Sequence, residues 1–156
     1  MGRPPRTYHS DGIYHLTQHG IDDRVIYRDD VDRQDFTLRL ARTARAERWD
    51  LRAACLMDTH YHLLVQPLAG RISEGMRNLN GGFARAFNRR HERRGAVFEA
   101  RYREWTIRDE EHLATTIRYI DWNPVMAEMV QSIEDWPWTT AWDSPFRRCL
   151  TLRKGV

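Results

Sequence analysis

Residues 51–67, LRAACLMDTHYHLLVQP, constrain the fold more than any other stretch of the chain. Two mainly apolar runs, Leu51 to Met57 and His60 to Gln66, are parted only by Asp58 and Thr59. Runs of this length around a tight turn read as the two strands of a hairpin, so they pair antiparallel. Pro67 has no N–H to give to a ladder and ends the second strand.

The flanking segments supply the rest of a mixed fold. GIYHLTQHG (12–20) reads as a first strand, with Ile13, His15 and Thr17 on one face and Tyr14, Leu16 and Gln18 on the other. Asp32 to Trp49 reads as a helix, with acidic residues at its N-terminal end and an apolar stripe of Phe36, Leu40 and Ala44. Ser73 caps a second helix running to about Arg94, where Met76, Leu79, Phe83 and Phe87 recur at helical spacing. Gly81 and Gly82 weaken that helix by roughly 1 kcal/mol each relative to alanine, and Gly95 is a natural stop. Residues 97–107 read as extended. Asp109 caps a third helix with Leu113, Ile117 and Ile120 facing the core; Pro124 ends it and starts a short fourth. Trp136, Trp138 and Trp142 form an aromatic closing segment. The order β-α-β-β-α-β-α indicates an α+β fold, an antiparallel sheet with helices packed on one face. The expectation is a single domain over 1–156, its core about 13–143, with short flexible termini.

Several classes are excluded by composition. No stretch approaches the run of about 20 apolar residues that crosses a bilayer, so no membrane partner is expected. MGRPPRTYHSDG, the first twelve residues, lacks the apolar centre of a signal peptide. Cys55 and Cys149 are too few and too distant for a disulfide framework or a thiolate zinc site, which points to a reducing cytoplasm, with Cys55 as a small core residue. The net charge is only +3, but residues 71–108 carry ten arginines against four glutamates. That is a local basic surface, and arginine offers a planar donor fork suited to phosphate.

His60 and His62 interrupt the apolar hairpin. Residues two apart on a strand share a side, so the two imidazoles project together. They form either a pair of metal ligands or two polar residues on a solvated face. Further along, Tyr119 and Asn123 stand four apart and share a helix face if the helix reaches Asn123. Asn123 also reads as the cap of a helix beginning at Pro124, and Tyr119 as an amphipathic core tyrosine.

Taken together, YHLT (14–17), DRQDF (32–36), CLMDTHYHLLV (55–65), FNRRHERRG (87–95), FEARYRE (98–104), RYIDWNPV (118–125) and WPWTTAW (136–142) form an ordered set. In this set the chain resembles the HUH-type single-tyrosine transposases of the insertion-sequence family, most closely the REP-associated branch, which acts on repetitive extragenic palindromes. The resemblance implies a ferredoxin-like fold, with His60, His62 and Asn123 as ligands of Mg²⁺ or Mn²⁺ and Tyr119 as the nucleophile. Ligand preference alone places zinc or manganese ahead of magnesium on imidazoles. The implied reaction cleaves and rejoins single-stranded DNA beside a palindromic hairpin through a 5′-phosphotyrosine. It needs no small-molecule cofactor, and the protein acts as a monomer or homodimer, cytoplasmic and nucleoid-associated when on DNA. Arg77, Arg85, Arg89, Arg90, Arg93 and Arg94, with Arg101 and Arg103, are the expected phosphate contacts; Tyr102 and Trp105 are the expected platforms for unpaired bases. The competing readings of these residues are a solvated helix face and core packing. Two other functions stay open: a catalytically silent DNA- or RNA-binding module, and a metal-dependent hydrolase using water. Three positions depart from the family pattern: Asp58-Thr59 stands for Pro-Asn, and Met126 and His19 each stand for arginine.

Overall fold

The computed structural model describes residues 2–151, and of Thr151 only the backbone. The ends of the expected flexible termini, Met1 and 152–156, lie outside the described residues. The elements are β1 (Tyr14–His19), α1 (Asp30–Ala46), β2 (Trp49–Leu56), β3 (His60–Pro67), α2 (Ser73–Arg90), β4 (Arg103–Thr106), α3 (Glu110–Met126) and α4 (Pro145–Thr151). The strands form one sheet in the order β2-β3-β1-β4, every pairing antiparallel. This β-α-β-β-α-β connection with β1 and β3 central is the ferredoxin-like arrangement. Among the described residues no helix is long and apolar enough to cross a membrane.

Alternation along the strands sends side chains to two different interiors. Tyr14, Leu16, Ala54, Leu56, Tyr61, Leu63 and Val65 meet Phe36, Leu40 and Ala41 of α1 and Met76, Leu79, Phe83 and Phe87 of α2. Ala53, Cys55, Met57 and Leu64 meet Ile120 of α3, with Leu113 and Ile117 at the margin. The expectation of helices on one face therefore describes α1 and α2, while α3 lies across the opposite face. That placement covers β3 from both sides, which is why its polar residue His62 is only 3% exposed.

Local boundaries differ from the expectation where capping decides them. Asp29 caps α1, its Oδ1 accepting from the Asp32 N–H at 3.1 Å, so the helix starts two residues earlier. Ser73 is the first residue of α2 and caps nothing; its hydroxyl lies 3.3 Å from that of Tyr102. Asp109 caps α3 as expected, accepting from the His112 N–H at 2.7 Å. Pro124 does not end α3. A proline removes one helical hydrogen bond, but the ladder resumes at once with the Ala127 N–H donating to the Asn123 carbonyl at 2.9 Å. Tyr119 and Asn123 thus sit on one helix, one turn apart.

The tryptophan segment closes the edge of β2. Leu56 N–H donates to the Trp138 carbonyl at 2.9 Å, and the Trp136 indole donates to the Leu56 carbonyl at 3.0 Å. Helix α4, absent from the sequence reading, adds Phe146 and Leu150 to the main core, and Tyr8 joins it from the other end. Packing therefore extends beyond 13–143 on both sides.

Candidate active site

Strand register builds the site. Opposed residues on antiparallel strands point to the same side. On the α3 face, β1 sets Thr17 against His62 and His19 against His60, while β4 sets Trp105 against His15 and Arg103 against Thr17. Three strands thus contribute one polar patch. The rings of His60 and His62 lie 5.0 Å apart at 83°. His19 stacks on His60 at 4.6 Å, and His15 stacks on His62 at 5.2 Å. Tyr119 of α3 leans edge-on toward His62 at 5.5 Å and toward His15 at 6.1 Å. Tyr119 is 55% exposed and lines a pocket of about 460 Å³ together with Thr17, His62, Arg103, His112 and Thr116. Asn123, on the same helix, lies beside His60 and favours its protonated form.

Burial keeps these imidazoles neutral. It pulls His15 and His60 down to about 4 and His62 to about 2, with neighbouring histidines adding to the shift and the Asn123 contact opposing it on His60. Neutral imidazole is the form that ligates a metal.

The donor set has the chemistry to fit a divalent ion. Nε2 of His62 and Oγ1 of Thr17 are both buried with no hydrogen-bond partner. Each orphan costs on the order of 1–3 kcal/mol, recovered only if something binds there. Among the described residues no three His, Cys, Asp or Glu side chains gather to hold a metal. Two imidazoles and the Asn123 amide could together offer a mixed nitrogen and oxygen set, which would suit manganese better than magnesium and leave positions open for oxygen ligands from outside.

The basic residues divide between the two faces. Arg103 and Trp105 lie on the histidine face, Trp105 47% exposed and 5.2 Å from His15. Arg77, Arg85 and Arg89 are exposed on α2, which packs against the other face. Arg94 is exposed just beyond it, and Arg101 lines a cleft of about 450 Å³ with Arg77. Arg90 is taken up by a bidentate contact with Asp29 at 2.7 Å and a further one with Asp32 at 2.7 Å. Arg93 donates to the Asn88 amide oxygen at 3.1 Å and to the Ala96 carbonyl at 3.3 Å. Tyr102 does not fit the expectation of a base platform. It is buried, its hydroxyl is 2.5 Å from that of Tyr8, and Arg6 covers its ring at 4.4 Å.

Sequence reasoning missed His15, Thr17 and His112 as members of this patch, and treated His19 only as a departure. The alternation His15-Thr17-His19 was the available signal; the register that sets it against His60 and His62 was not.

Comparison with known proteins agrees with this architecture. The family model described as "Transposase IS200 like" matches residues 9–123. A Haemophilus influenzae protein assigned by name as a REP-associated tyrosine transposase is 30% identical over 99 residues, 56% of this chain and 56% of that protein. The matched region thus spans about half the length of that relative. A REP-associated tyrosine transposase solved bound to a REP hairpin superposes with a TM-score of 0.72 at 20% identity, covering 90% of this chain and 82% of that one. A transposase structure from Deinococcus radiodurans gives 0.52 at 20% identity over 77% and 94% of the two chains. At that identity the two structures speak to fold alone.

Proposed function

The chain belongs to the IS200-like transposase family, and from that premise we propose that it cleaves and rejoins single-stranded DNA beside a palindromic hairpin, with Tyr119 as the nucleophile. The observation that carries this reading is the placement of an exposed tyrosine, 5.5 Å from His62, on the helix whose Asn123 contacts His60. A phenol that lines a pocket together with neutral imidazoles and an arginine is suited to attack a phosphodiester.

In this reaction the Tyr119 oxygen bonds to phosphorus and the bond from phosphorus to the 3′-oxygen breaks. The products are a 5′-phosphotyrosine and a free 3′-hydroxyl. The ester keeps its bond energy, so a second 3′-hydroxyl can displace the tyrosine without ATP. His60, His62 and Asn123 would hold Mg²⁺ or Mn²⁺, which when bound supplies Lewis-acid stabilisation of charge on the phosphate oxygens. Arg103, on the same face, donates to the phosphate from the side of β4. Trp105 offers an exposed ring to an unpaired base, worth about 1–3 kcal/mol of stacking. Arg77, Arg85, Arg89 and Arg94, on the far face, track phosphates of the stem, so affinity falls steeply with salt. Arg90 and Arg93 serve first to hold the end of α2, through their carboxylate and amide partners.

The test is a labelled hairpin oligonucleotide with a single-stranded flank, incubated with Mn²⁺ and resolved on a denaturing gel. Wild type forms a covalent protein–DNA species and releases a 3′-hydroxyl fragment; Tyr119→Phe forms neither. Cleavage with a free 5′-phosphate and no adduct would instead indicate hydrolysis by water. Binding without cleavage by either protein would indicate a silent module.

A further inference from the structure

An imidazole binds a metal only through the nitrogen that carries no proton, so the tautomer of each histidine decides whether it can act. Both histidines of the pair have one nitrogen engaged from outside the pair. Nδ1 of His62 lies 3.0 Å from Nε2 of His15 on the neighbouring strand. Nδ1 of His60 lies 3.0 Å from Oγ1 of Thr59, in the turn that precedes it.

We propose that His15 and Thr59 are positioning residues that lock the tautomers of the histidine pair. The Nδ1–H of His62 donates to the lone pair on Nε2 of His15, and the Nδ1–H of His60 donates to the Thr59 hydroxyl oxygen. Both Nε2 atoms then carry the lone pair, and that of His62 faces no other hydrogen-bonding group. The opposite tautomer of His62 puts an N–H on a buried Nε2 that has no acceptor in reach. Thr17 supplies an independent observation. Its Oγ1 is also buried and unpartnered, and it stands opposite His62 in the register. Two orphaned polar atoms on adjacent strands describe a place made for a polar ligand. Partners that orient a ligating histidine raise its basicity and fix its ring, which is why removing one weakens metal affinity. The metal half of this inference rests on the reading under Proposed function; the tautomer half does not.

Long-range proton–nitrogen NMR of the metal-free full chain at neutral pH reads the tautomers directly. Both His60 and His62 show the Nδ1–H pattern in wild type. Thr59→Val removes the hydroxyl at nearly constant shape and converts His60 to a mixture; Thr59→Ser retains the pattern. His15→Phe keeps an aromatic ring on β1 and does the same to His62, while His15→Gln, which keeps an acceptor, restores it in part. Mn²⁺ titration in the absence of DNA shows a loss of about 10–100-fold in Thr59→Val and His15→Phe. An Nε2–H pattern on either histidine of wild type overturns the proposal, as does a Mn²⁺ affinity within twofold of wild type in both variants. If His15→Phe does not fold, the Thr59 pair alone decides. Wild type that binds no Mn²⁺ overturns the metal reading instead, and the tautomer pattern still decides this proposal.

Discussion

Asp58 sits in the turn that delivers Thr59 and His60, and its removal gives a calculable result. Its carboxylate pairs with Arg33 of α1, whose side chain is 8% exposed while that of Asp58 is 51% exposed. The guanidinium lies 5.3 Å from the rings of both Tyr27 and Trp136, and its second carboxylate, Asp30, is 3.8 Å away. The Asp58 carbonyl accepts from the Ile26 N–H at 2.9 Å, a backbone contact that survives a side-chain change. Asp58→Ala therefore leaves a buried cation with one distant partner and an otherwise intact turn. Exposed pairs contribute about 0–1 kcal/mol, and breaking a fully buried pair costs about 3–5 kcal/mol. With one partner buried and one half-exposed, the expected loss is about 2 kcal/mol. Arg33→Met keeps most of the apolar contact and leaves only a hydrated carboxylate behind, so the double variant should resemble Arg33→Met alone. Urea unfolding of the four proteins, followed by tryptophan fluorescence, gives the cycle from midpoints at constant slope. Because the arginine is buried, the coupling should persist in 1 M salt, where exposed pairs are screened over about 3 Å. A loss below about 0.5 kcal/mol for Asp58→Ala, or strict additivity in the double variant, would refute the reasoning.

Other outcomes follow from the same geometry. Gly81→Ala in α2 meets only the end of Arg85 at 3.3 Å, so it should gain about 1 kcal/mol and raise Tm by about 2–4 °C. Gly75→Ala, on the same helix, drives its Cβ into Cζ2 of buried Trp49, and overpacking of about 1–3 kcal/mol should outweigh the helical gain, so Tm falls in a thermal melt. Burial pushes the Cys55 thiol up to about 12, so a thiol reagent should label Cys149 in the native protein and Cys55 only as the chain unfolds. Hydrogen bonding to Arg90 holds Asp29 at about 2, below its unfolded value. Its contribution to stability is thus present above about pH 4 and lost as pH falls through about 2. Asp29→Asn keeps the cap but not the charge, so its Tm should trail that of wild type at neutral pH and converge with it in strong acid.

Much of the fold was legible because it depends on local signals. The hairpin at 51–67 has its turn, its alternation and its terminating proline within seventeen residues; the turn and the proline hold and β3 alternates throughout, while a register shift between Leu51 and Ala53 interrupts the alternation of β2. Boundaries failed where a tertiary or capping contact outweighed propensity. Asp29, not Asp32, starts α1, because its carboxylate accepts from the Asp32 N–H, while the Asp32 carboxylate is taken up by Arg90 and His91. Glycine shows the same division. As sequence, Gly75 and Gly81 are equal costs to α2; in the fold, one is required by Trp49 and the other is not.

The sequence by itself determined the alternation that turns His60 and His62 to one side, the helical spacing of Tyr119 and Asn123, and the order of elements that yields an antiparallel sheet. Only the tertiary structure decided what stands beside those histidines. His15, Thr17 and His19 are some forty residues away in the chain, and Thr59 adjoins the pair without revealing its role. Strand register brings the first three onto one face, and the turn geometry sets the Thr59 hydroxyl against His60. This also gives the Asp58-Thr59 departure a physical meaning: one residue anchors the turn to Arg33 and the other engages the imidazole. The location of α3 was equally invisible, since an amphipathic helix carries no record of which sheet face will bury it. That choice, made by the packing of Ile120 against Ala53, Cys55 and Leu64, places Tyr119 over His62. Periodicity is a property of neighbours in the chain; a site assembled from three strands and a helix depends on contacts between residues that the chain keeps apart.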